Sequence, residues 1–312
     1  MADDVVMSLT GLRAVLSAAP PWTYFIGSAV FHYLGPAFAV LLFDRLAPLG
    51  VSGLRIWSAA LIFALWRRPW RTLARLDAGG RRTILAWGAV LAAMNVCFYL
   101  AIDRVPLGTV AAIEFLPVIV LAALGARTVR NGVALLAAVG GVYVLTGIQL
   151  TGEPLGLVFA FANAVLFAAY IVLAHRTARR LRGVGGIDGL AAAMLIAGVF
   201  VAPVAVGQAA PALLDPVVLA AGIAVGICSS VIPYVCDQLA MARMSRATYA
   251  LLVALLPATA TVIGVVVLRQ FPSLAELTGV ALVVLSVALH QEAAPVAAKT
   301  TLPQEGKATC AI

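Results

Sequence analysis

Long stretches without a charged residue dominate this sequence. Seven of them contain 20 or more residues each: 22–43, 83–102, 131–152, 154–175, 189–214, 216–236 and 247–268. About 20 apolar residues in a helix span the roughly 30 Å core of a bilayer. Three more stretches carry one charge each, 46–66 with Arg55, 105–126 with Glu114 and 271–291 with Glu276. The sequence therefore predicts ten transmembrane helices, because strands of a transmembrane β-barrel are only about ten residues of alternating polarity.

The charges predict how the chain lies in the membrane. With a cytoplasmic N-terminus, 17 of the 21 basic residues fall on cytoplasmic segments, and only Arg45, Arg104 and Arg269 on the opposite side. This positive-inside bias predicts a multi-pass protein with both termini in the cytoplasm. The longest connection is expected to be the arginine-rich loop Arg67–Arg82. The net charge of +8 therefore orients the protein and does not indicate nucleic-acid binding.

An internal repeat divides the sequence into two halves. Leu100–Val105 (LAIDRV) and Leu239–Met244 (LAMARM) are similar at an offset of 139 residues. Each precedes an apolar span that contains a proline, Pro117 in the first half and Pro257 in the second. The last span of each half contains a Gly-Val pair, which begins at Gly141 in the first half and at Gly279 in the second. Because five helices per half is an odd number, the second half must enter the membrane in the opposite sense. We expect an all-α integral membrane fold of two inverted five-helix repeats, as in many secondary transporters.

The predicted organisation has four parts. A cytoplasmic N-terminal segment covers 1–21, the first five-helix repeat 22–152 and the second 153–291. A tail at 292–312, rich in Pro, Ala, Thr and Lys without periodicity, is expected to be disordered and cytoplasmic. Arginine outnumbers lysine 19 to 2, which with the many alanines is typical of a GC-rich bacterial genome. The bacterial inner membrane is the expected location.

Two charged side chains lie near the middle of predicted spans. Each central charge costs about 2.5–3.5 kcal/mol on insertion scales, so Arg55 and Glu114 should face the bundle interior. One interpretation is a fixed ion pair that joins two helices. The other is a central cavity in which the Arg55 guanidinium binds the carboxylate of a substrate and the Glu114 carboxylate binds its ammonium group. Such a pair of charges suits a zwitterionic amino acid. Burial penalises a charged carboxyl, so Glu114 is the candidate for proton coupling.

Other polar side chains share single helical faces within their spans. Asn95 and Tyr99 are four residues apart, Asn163 and Tyr170 seven apart, and Ser230, Tyr234 and Asp237 follow the same spacing. Interhelical hydrogen bonds would explain each of these residues alone, whereas the whole set predicts a central polar site. The predicted substrate-binding residues are His32, Arg55, Asn95, Tyr99, Glu114, Asn163, Tyr170 and Tyr234.

Prolines in the spans are candidate hinges. They free backbone carbonyls, which are tolerable only against protein or water. Pro117, Pro257 and the acidic Asp237 are the predicted gating residues, and ordinary helix kinks are the alternative for the prolines.

Two segments of the sequence are distinctive: Met94–Pro117 (MNVCFYLAIDRVPLGTVAAIEFLP) and Ser229–Ala258 (SSVIPYVCDQLAMARMSRATYALLVALLPA). They resemble the EamA family of the drug/metabolite transporter superfamily, and more narrowly its threonine/homoserine exporter branch. The resemblance extends over roughly 22–291. It implies a ten-helix, inverted-repeat antiporter that exports small amino acids or related metabolites in exchange for protons. The residues that match the branch pattern are Asn95, Tyr99, Pro106, Gly108, Glu114, Pro233, Tyr234 and Asp237, the last where the branch usually has Glu.

The sequence departs from that branch at two places. The branch tends to read EF-x-G-P, whereas here Glu114 is followed by Phe115, Leu116 and Pro117, one residue shorter. The branch tends to read SLEPA in its ninth helix, and here Leu256 replaces the acid. If that acid serves coupling or ammonium binding, both functions fall to Glu114.

Other classes of function have less support in the residues. An enzyme would need a nucleophile with a base, or metal ligands, but His32, His175 and His290 are dispersed and no H-E-x-x-H or G-x-S-x-G occurs. A channel and an exporter of another metabolite or drug-like compound remain alternatives. We therefore expect a transporter with no enzymatic activity, cofactor or metal. Its expected partners are a small-molecule substrate, protons and lipid, and it is expected to be a monomer or weak homodimer.

Overall fold

The computed structural model describes residues 20–125, 128–149, 153–180, 184–241 and 256–289. These residues form helices and connections without any strand. The helices are α1 (Pro21–Leu42), α2 (Pro48–Arg67), α3 (Pro69–Arg75), α4 (Ala78–Ile102), α5 (Leu107–Gly125), α6 (Val129–Gln149), α7 (Pro154–Arg180), α8 (Gly186–Ala209), α9 (Pro216–Gly226), α10 (Ile232–Met241), α11 (Leu256–Leu268) and α12 (Leu274–Leu289). A 3₁₀ turn (Ala210–Leu214) follows α8, and a π-turn (Ile227–Val231) joins α9 to α10. The predicted all-α class is confirmed over the described residues.

Six of the described helices are long and apolar enough to cross a membrane. They are Thr23–Leu42, Pro48–Arg67, Ala78–Ile102, Pro154–Ala174, Gly186–Leu214 and Pro216–Cys236. Shorter apolar helices, Leu107–Pro117, Val129–Leu145, Leu256–Leu268 and Leu274–Leu289, overlap the other four predicted spans. The chain is therefore a membrane protein with multiple apolar helices.

Local sequence signals set the ends of several helices. Pro21, Pro48 and Pro216 begin α1, α2 and α9, where the missing N–H of proline costs nothing. The Asp77 carboxylate accepts a hydrogen bond from the Gly80 N–H at 2.8 Å and caps α4. The segment Arg67–Arg82, predicted to be a loop, is therefore largely helical, because Pro69 starts α3 and Asp77 starts α4.

Contacts between helices join the two halves of the chain. Helix α1 packs against α9, α10 and α11, and α4 packs against α7 and α8. Helix α2 packs against α8 and α9, α5 against α7, α11 and α12, and α6 against α12. When the ten predicted spans are numbered in chain order and each is exchanged with the span five positions away, every one of these contacts except that of α5 with α12 corresponds to a contact of the same set.

The two repeat-related glycines meet at one of these contacts. A Cβ atom built on Gly141 of α6 would lie 2.7 Å from the Gly279 carbonyl oxygen of α12, and one built on Gly279 would lie 3.0 Å from that of Gly141. Small residues at such a position let two helix backbones approach closely in a membrane. The Gly-Val pattern of the two halves therefore corresponds to one mutual packing site.

Candidate functional site

A cavity of about 430 Å³ lies between helices of both halves. Its lining includes residues of α1, α2, α4, α5, α7, α10 and α11. The volume is within the roughly 300–1,000 Å³ of small-molecule sites. Toward the C-terminal end of α1, tightly packed side chains that include Ala37, Ala39 and Leu42 form an apolar core beyond the cavity. The predicted residues His32, Arg55, Asn95, Glu114, Asn163, Tyr170 and Tyr234 all line this cavity.

Arg55 is held on one side by the helix that contains the π-turn. Its Nε donates to the Ser230 hydroxyl oxygen at 3.1 Å, and its Nη2 donates to the Ser229 carbonyl oxygen at 3.2 Å. The guanidinium carbon lies 5.5 Å from the centroid of the Tyr99 ring, a cation–π distance. Tyr99 is fully buried behind Arg55 and is not a lining residue, so it supports the site from outside the cavity.

Glu114 brings the second charge to the cavity. Its side chain is buried, and over the residues that the structure describes it makes no ion pair with Arg55. The Asn163 side chain lies close to the Glu114 carboxyl but outside hydrogen-bonding geometry. Neither amide atom of Asn163 has a hydrogen-bond partner among the described residues, although the residue is 0% exposed. Buried polar groups are normally satisfied, so this corner of the cavity is suited to a polar ligand or water.

The remaining predicted residues have more local contacts. The Asn95 amide nitrogen donates to the Leu91 carbonyl of its own helix at 2.8 Å. The His32 ring packs edge-to-face on Tyr33 with centroids 5.2 Å apart. The Tyr170 ring stacks on Phe167 at 6.2 Å and packs on Trp87 at 5.7 Å. These contacts fix the three side chains at the cavity wall.

Several lining residues were not predicted. Phe115 and Phe167 contribute aromatic surface and pack edge-to-face at 6.2 Å, and Met94 and Leu256 add apolar surface. The spacing of Asn163, Phe167 and Tyr170, at i, i+4 and i+7, puts Phe167 on the same helical face as the two predicted residues and is a sequence signal for its position. Ser229 was also missed, since its backbone carbonyl rather than its side chain contacts Arg55.

The two predicted gating prolines lie apart from this lining. Pro117 is within α5 and Pro257 within the first turn of α11, and neither lines the cavity. The Asp237 side chain lies outside the described residues. Their gating role stays a prediction.

Comparison with known proteins identifies relatives. Residues 154–290 match the model of the EamA-like transporter family. The threonine/homoserine exporter RhtA of Salmonella typhimurium strain LT2 is 30% identical over 243 residues, which cover 76% of this chain and 79% of that protein. The exporter of the same name from Escherichia coli strain K12 is 31% identical over the same length.

A solved crystal structure provides an independent comparison of the fold. It is 19% identical, covers 86% of this chain and 96% of its own, and superposes with a TM-score of 0.56. At this identity the likeness concerns the fold alone.

Proposed function

Because this chain belongs to the EamA-like transporter family and is thus a membrane exporter rather than an enzyme, we propose that it exports zwitterionic amino acids in exchange for protons. Small amino acids of the threonine/homoserine type are the first candidates, since the relatives carry those names. The proposed site comprises the predicted residues that line the cavity, with Tyr99 supporting Arg55. The proposed location is the inner membrane of a bacterium.

The observation that carries this proposal is the pair of opposite charges in one cavity. Arg55 and Glu114 both line it, and within the described ranges they are not paired with each other. An Arg guanidinium binds a carboxylate through two parallel hydrogen bonds. The Glu114 carboxylate can hold an ammonium group. A zwitterionic α-amino acid supplies a carboxylate for Arg55 and an ammonium group for Glu114, whereas a solute without charged groups supplies neither.

Proton coupling is proposed to use Glu114. It is the one carboxyl group among the described lining residues of the cavity. A proton and a substrate ammonium would compete for the same oxygens, so protonation would favour substrate release. One proton moving through about 100 mV releases about 2.3 kcal/mol. At about 1.4 kcal/mol per tenfold, this sustains a roughly fifty-fold gradient of a neutral solute.

The inverted repeat is part of the proposal. The largely symmetric pattern of helix contacts supports ten spans in two related halves, with repeats at 22–152 and 153–291. The match of 154–290 to one family model supports the second boundary. The basic residues favour both termini in the cytoplasm. Alternating access would then involve movement of one half against the other around the cavity.

A larger or drug-like substrate is the second candidate. Phe115, Phe167 and Leu256 give the cavity an apolar wall, and Leu256 stands where the resembled branch has an acid. Such a wall favours a substrate with a bulky apolar group over threonine.

Efflux from loaded vesicles tests the proposed function. Purified protein is reconstituted, the vesicles are loaded with labelled threonine, homoserine, phenylalanine or a hydrophobic cation, and release is followed with and without a pH gradient. We expect saturable amino-acid efflux that accelerates when protons can enter as the substrate leaves. Release that ignores the gradient contradicts proton coupling. Release of the cation alone contradicts an amino-acid substrate, and efflux without saturation or counterflow favours a channel.

A further inference from the structure

The orientation of Arg55 depends on two adjacent serines of another helix. Ser229 and Ser230 lie in the π-turn between α9 and α10, and both are 2% exposed. They provide the two oxygen atoms to which the guanidinium donates, one from the backbone and one from a hydroxyl. The contact therefore fixes Arg55 by atoms that belong to the second half of the chain.

The sequence explains why the Ser229 carbonyl is available. Proline has no N–H, so Pro233 cannot donate to the carbonyl four residues before it, which is that of Ser229. In the π-turn the Ile232 N–H also bonds five residues back, to the Ile227 carbonyl. The usual α-helical pairing is thus interrupted at Ser229, and Arg55 supplies the hydrogen bond instead. π-turns are rare and frequently occur at functional sites.

Glycines hold this turn against its neighbours. A Cβ atom on Gly226 would lie 2.7 Å from the Arg55 carbonyl oxygen and would also contact the Ser58 hydroxyl. A Cβ atom on Gly35 would lie 2.8 Å from the Ser229 nitrogen. The backbone of the π-turn therefore sits directly on α1 and α2, and the two acceptors have little freedom to move.

The hydrogen bonds to the two serines occupy one edge of the Arg55 guanidinium and leave its other edge available to a ligand. Of the five N–H groups of an arginine, the Nε–H and one on Nη2 face the serines. The pair formed by Nη1 and Nη2 is the edge that can take a carboxylate bidentately. The ring of Tyr99 covers one face of the plane.

We propose that Ser230, with the π-turn that Pro233 makes possible, is a positioning element that holds the free edge of Arg55 in place for the carboxylate of the substrate. This proposal rests on the proposed amino-acid transport and adds a residue to it. Ser230 acts through Arg55 and does not line the cavity itself. Its loss should weaken recognition of a carboxylate specifically, and leave recognition of the rest of the substrate unchanged.

The test compares Ser230→Ala with Ser230→Thr and with the control Ser286→Ala. Ser286 is also a fully buried membrane serine, but it donates to the Val283 carbonyl of its own helix, away from the cavity. Inhibition of labelled amino-acid transport is measured with the unlabelled amino acid and with its carboxamide, which lacks the carboxylate. The ratio of the two inhibition constants reports carboxylate recognition, and it is independent of how much protein reaches the membrane.

We expect Ser230→Ala to reduce this ratio about tenfold, because a hydrogen bond to a charged group is lost. Ser230→Thr, which keeps the hydroxyl, should retain the ratio of the wild type. Pro233→Ala, which returns an N–H for the Ser229 carbonyl, should reduce the ratio in the same direction. An unchanged ratio in both Ser230→Ala and Pro233→Ala, or an equal reduction in Ser286→Ala, would overturn the positioning role. If the wild type itself does not distinguish acid from carboxamide, the proposed function fails and the inference fails with it.

Discussion

Arg55 and Glu114 face one cavity and, over the described part of the chain, do not bond to each other. Arg55 is instead turned toward Ser229 and Ser230, and Glu114 toward Asn163. A fixed ion pair would have explained two charges inside a membrane by structure alone. The observed arrangement leaves one positive and one negative group with capacity for a ligand, so the cavity interpretation is favoured over the ion pair.

A double-mutant comparison separates these two interpretations further. If Arg55 and Glu114 were a structural pair, removing one charge from a buried pair would cost about 3–5 kcal/mol and removing both would restore stability. We expect no such rescue.

Arg55→Gln should raise the half-saturating substrate concentration at least about tenfold, since about 1.4 kcal/mol or more of charged hydrogen bonding is lost. Thermal unfolding in detergent and transport kinetics of Arg55→Gln, Glu114→Gln and the double variant provide the measurement; a double variant more stable than either single one would contradict us.

Close helix packing at the π-turn predicts a strong effect of one methyl group. In Gly226→Ala the new Cβ would meet the Arg55 carbonyl and the Ser58 hydroxyl. Overpacking of this kind costs about 1–3 kcal/mol, and displacement of α2 should also reduce transport. Gly140→Ala is the matched control, because nothing lies within 4 Å of its Cβ position. We expect a lower unfolding temperature for Gly226→Ala only, and equal temperatures for both variants would show that the packing is looser than described.

The ion pair between the two halves should matter little. Arg67 and Asp188 approach to 2.7 Å and join the end of α2 to the start of α8, but their side chains are 34% and 26% exposed. Partly exposed pairs contribute up to about 1 kcal/mol. Asp188→Asn should therefore lower the stability by less than about 1 kcal/mol and leave substrate affinity unchanged. A large loss of affinity, measured by the same vesicle assay, would instead assign this pair to the transport cycle.

Labelling of single cysteines tests the proposed topology. Ala74 in α3 and Ser273 before α12 are both exposed, and the topology predicted from the basic residues assigns them to opposite sides of the membrane. In a variant without the native cysteines, Ser273→Cys should react with a membrane-impermeant maleimide in intact cells. Ala74→Cys should react only after permeabilisation. The reverse pattern would invert the proposed orientation.

Much of the helical architecture could be predicted from the sequence, whereas the contacts of the site could not. Charge-free runs indicate where long apolar helices form, and six of the ten predicted spans correspond to described helices that are long and apolar enough to cross a bilayer. Shorter apolar helices overlap the other four predicted spans. Helical spacing also placed Asn163 and Tyr170 on one face. The hydrogen bond from Arg55 to the Ser229 carbonyl could not be predicted from spacing. It depends on a carbonyl oxygen that Pro233 cannot bond and on the packing of two helices that are distant in the sequence. Phe167 shares that face through its spacing from Asn163 and Tyr170, but the prediction of a polar site covered only polar side chains.

Replacement of Glu114 should uncouple transport from protons without abolishing exchange. Glu114→Gln keeps the shape and the hydrogen-bonding capacity of the side chain but can neither bind nor release a proton. If Glu114 alternates between proton and substrate ammonium, this variant should still catalyse substrate counterflow, at lower affinity, while its efflux no longer responds to a pH gradient. Glu276→Gln is the matched control, since Glu276 accepts hydrogen bonds from the Ser273 N–H and hydroxyl at 2.8 and 3.0 Å and lies outside the cavity. The wild type and the control should both accumulate substrate against a gradient of up to about fifty-fold per 100 mV. Gradient-dependent efflux in Glu114→Gln would move the coupling to another group, whereas loss of counterflow together with efflux would indicate that Glu114 is needed for substrate binding itself.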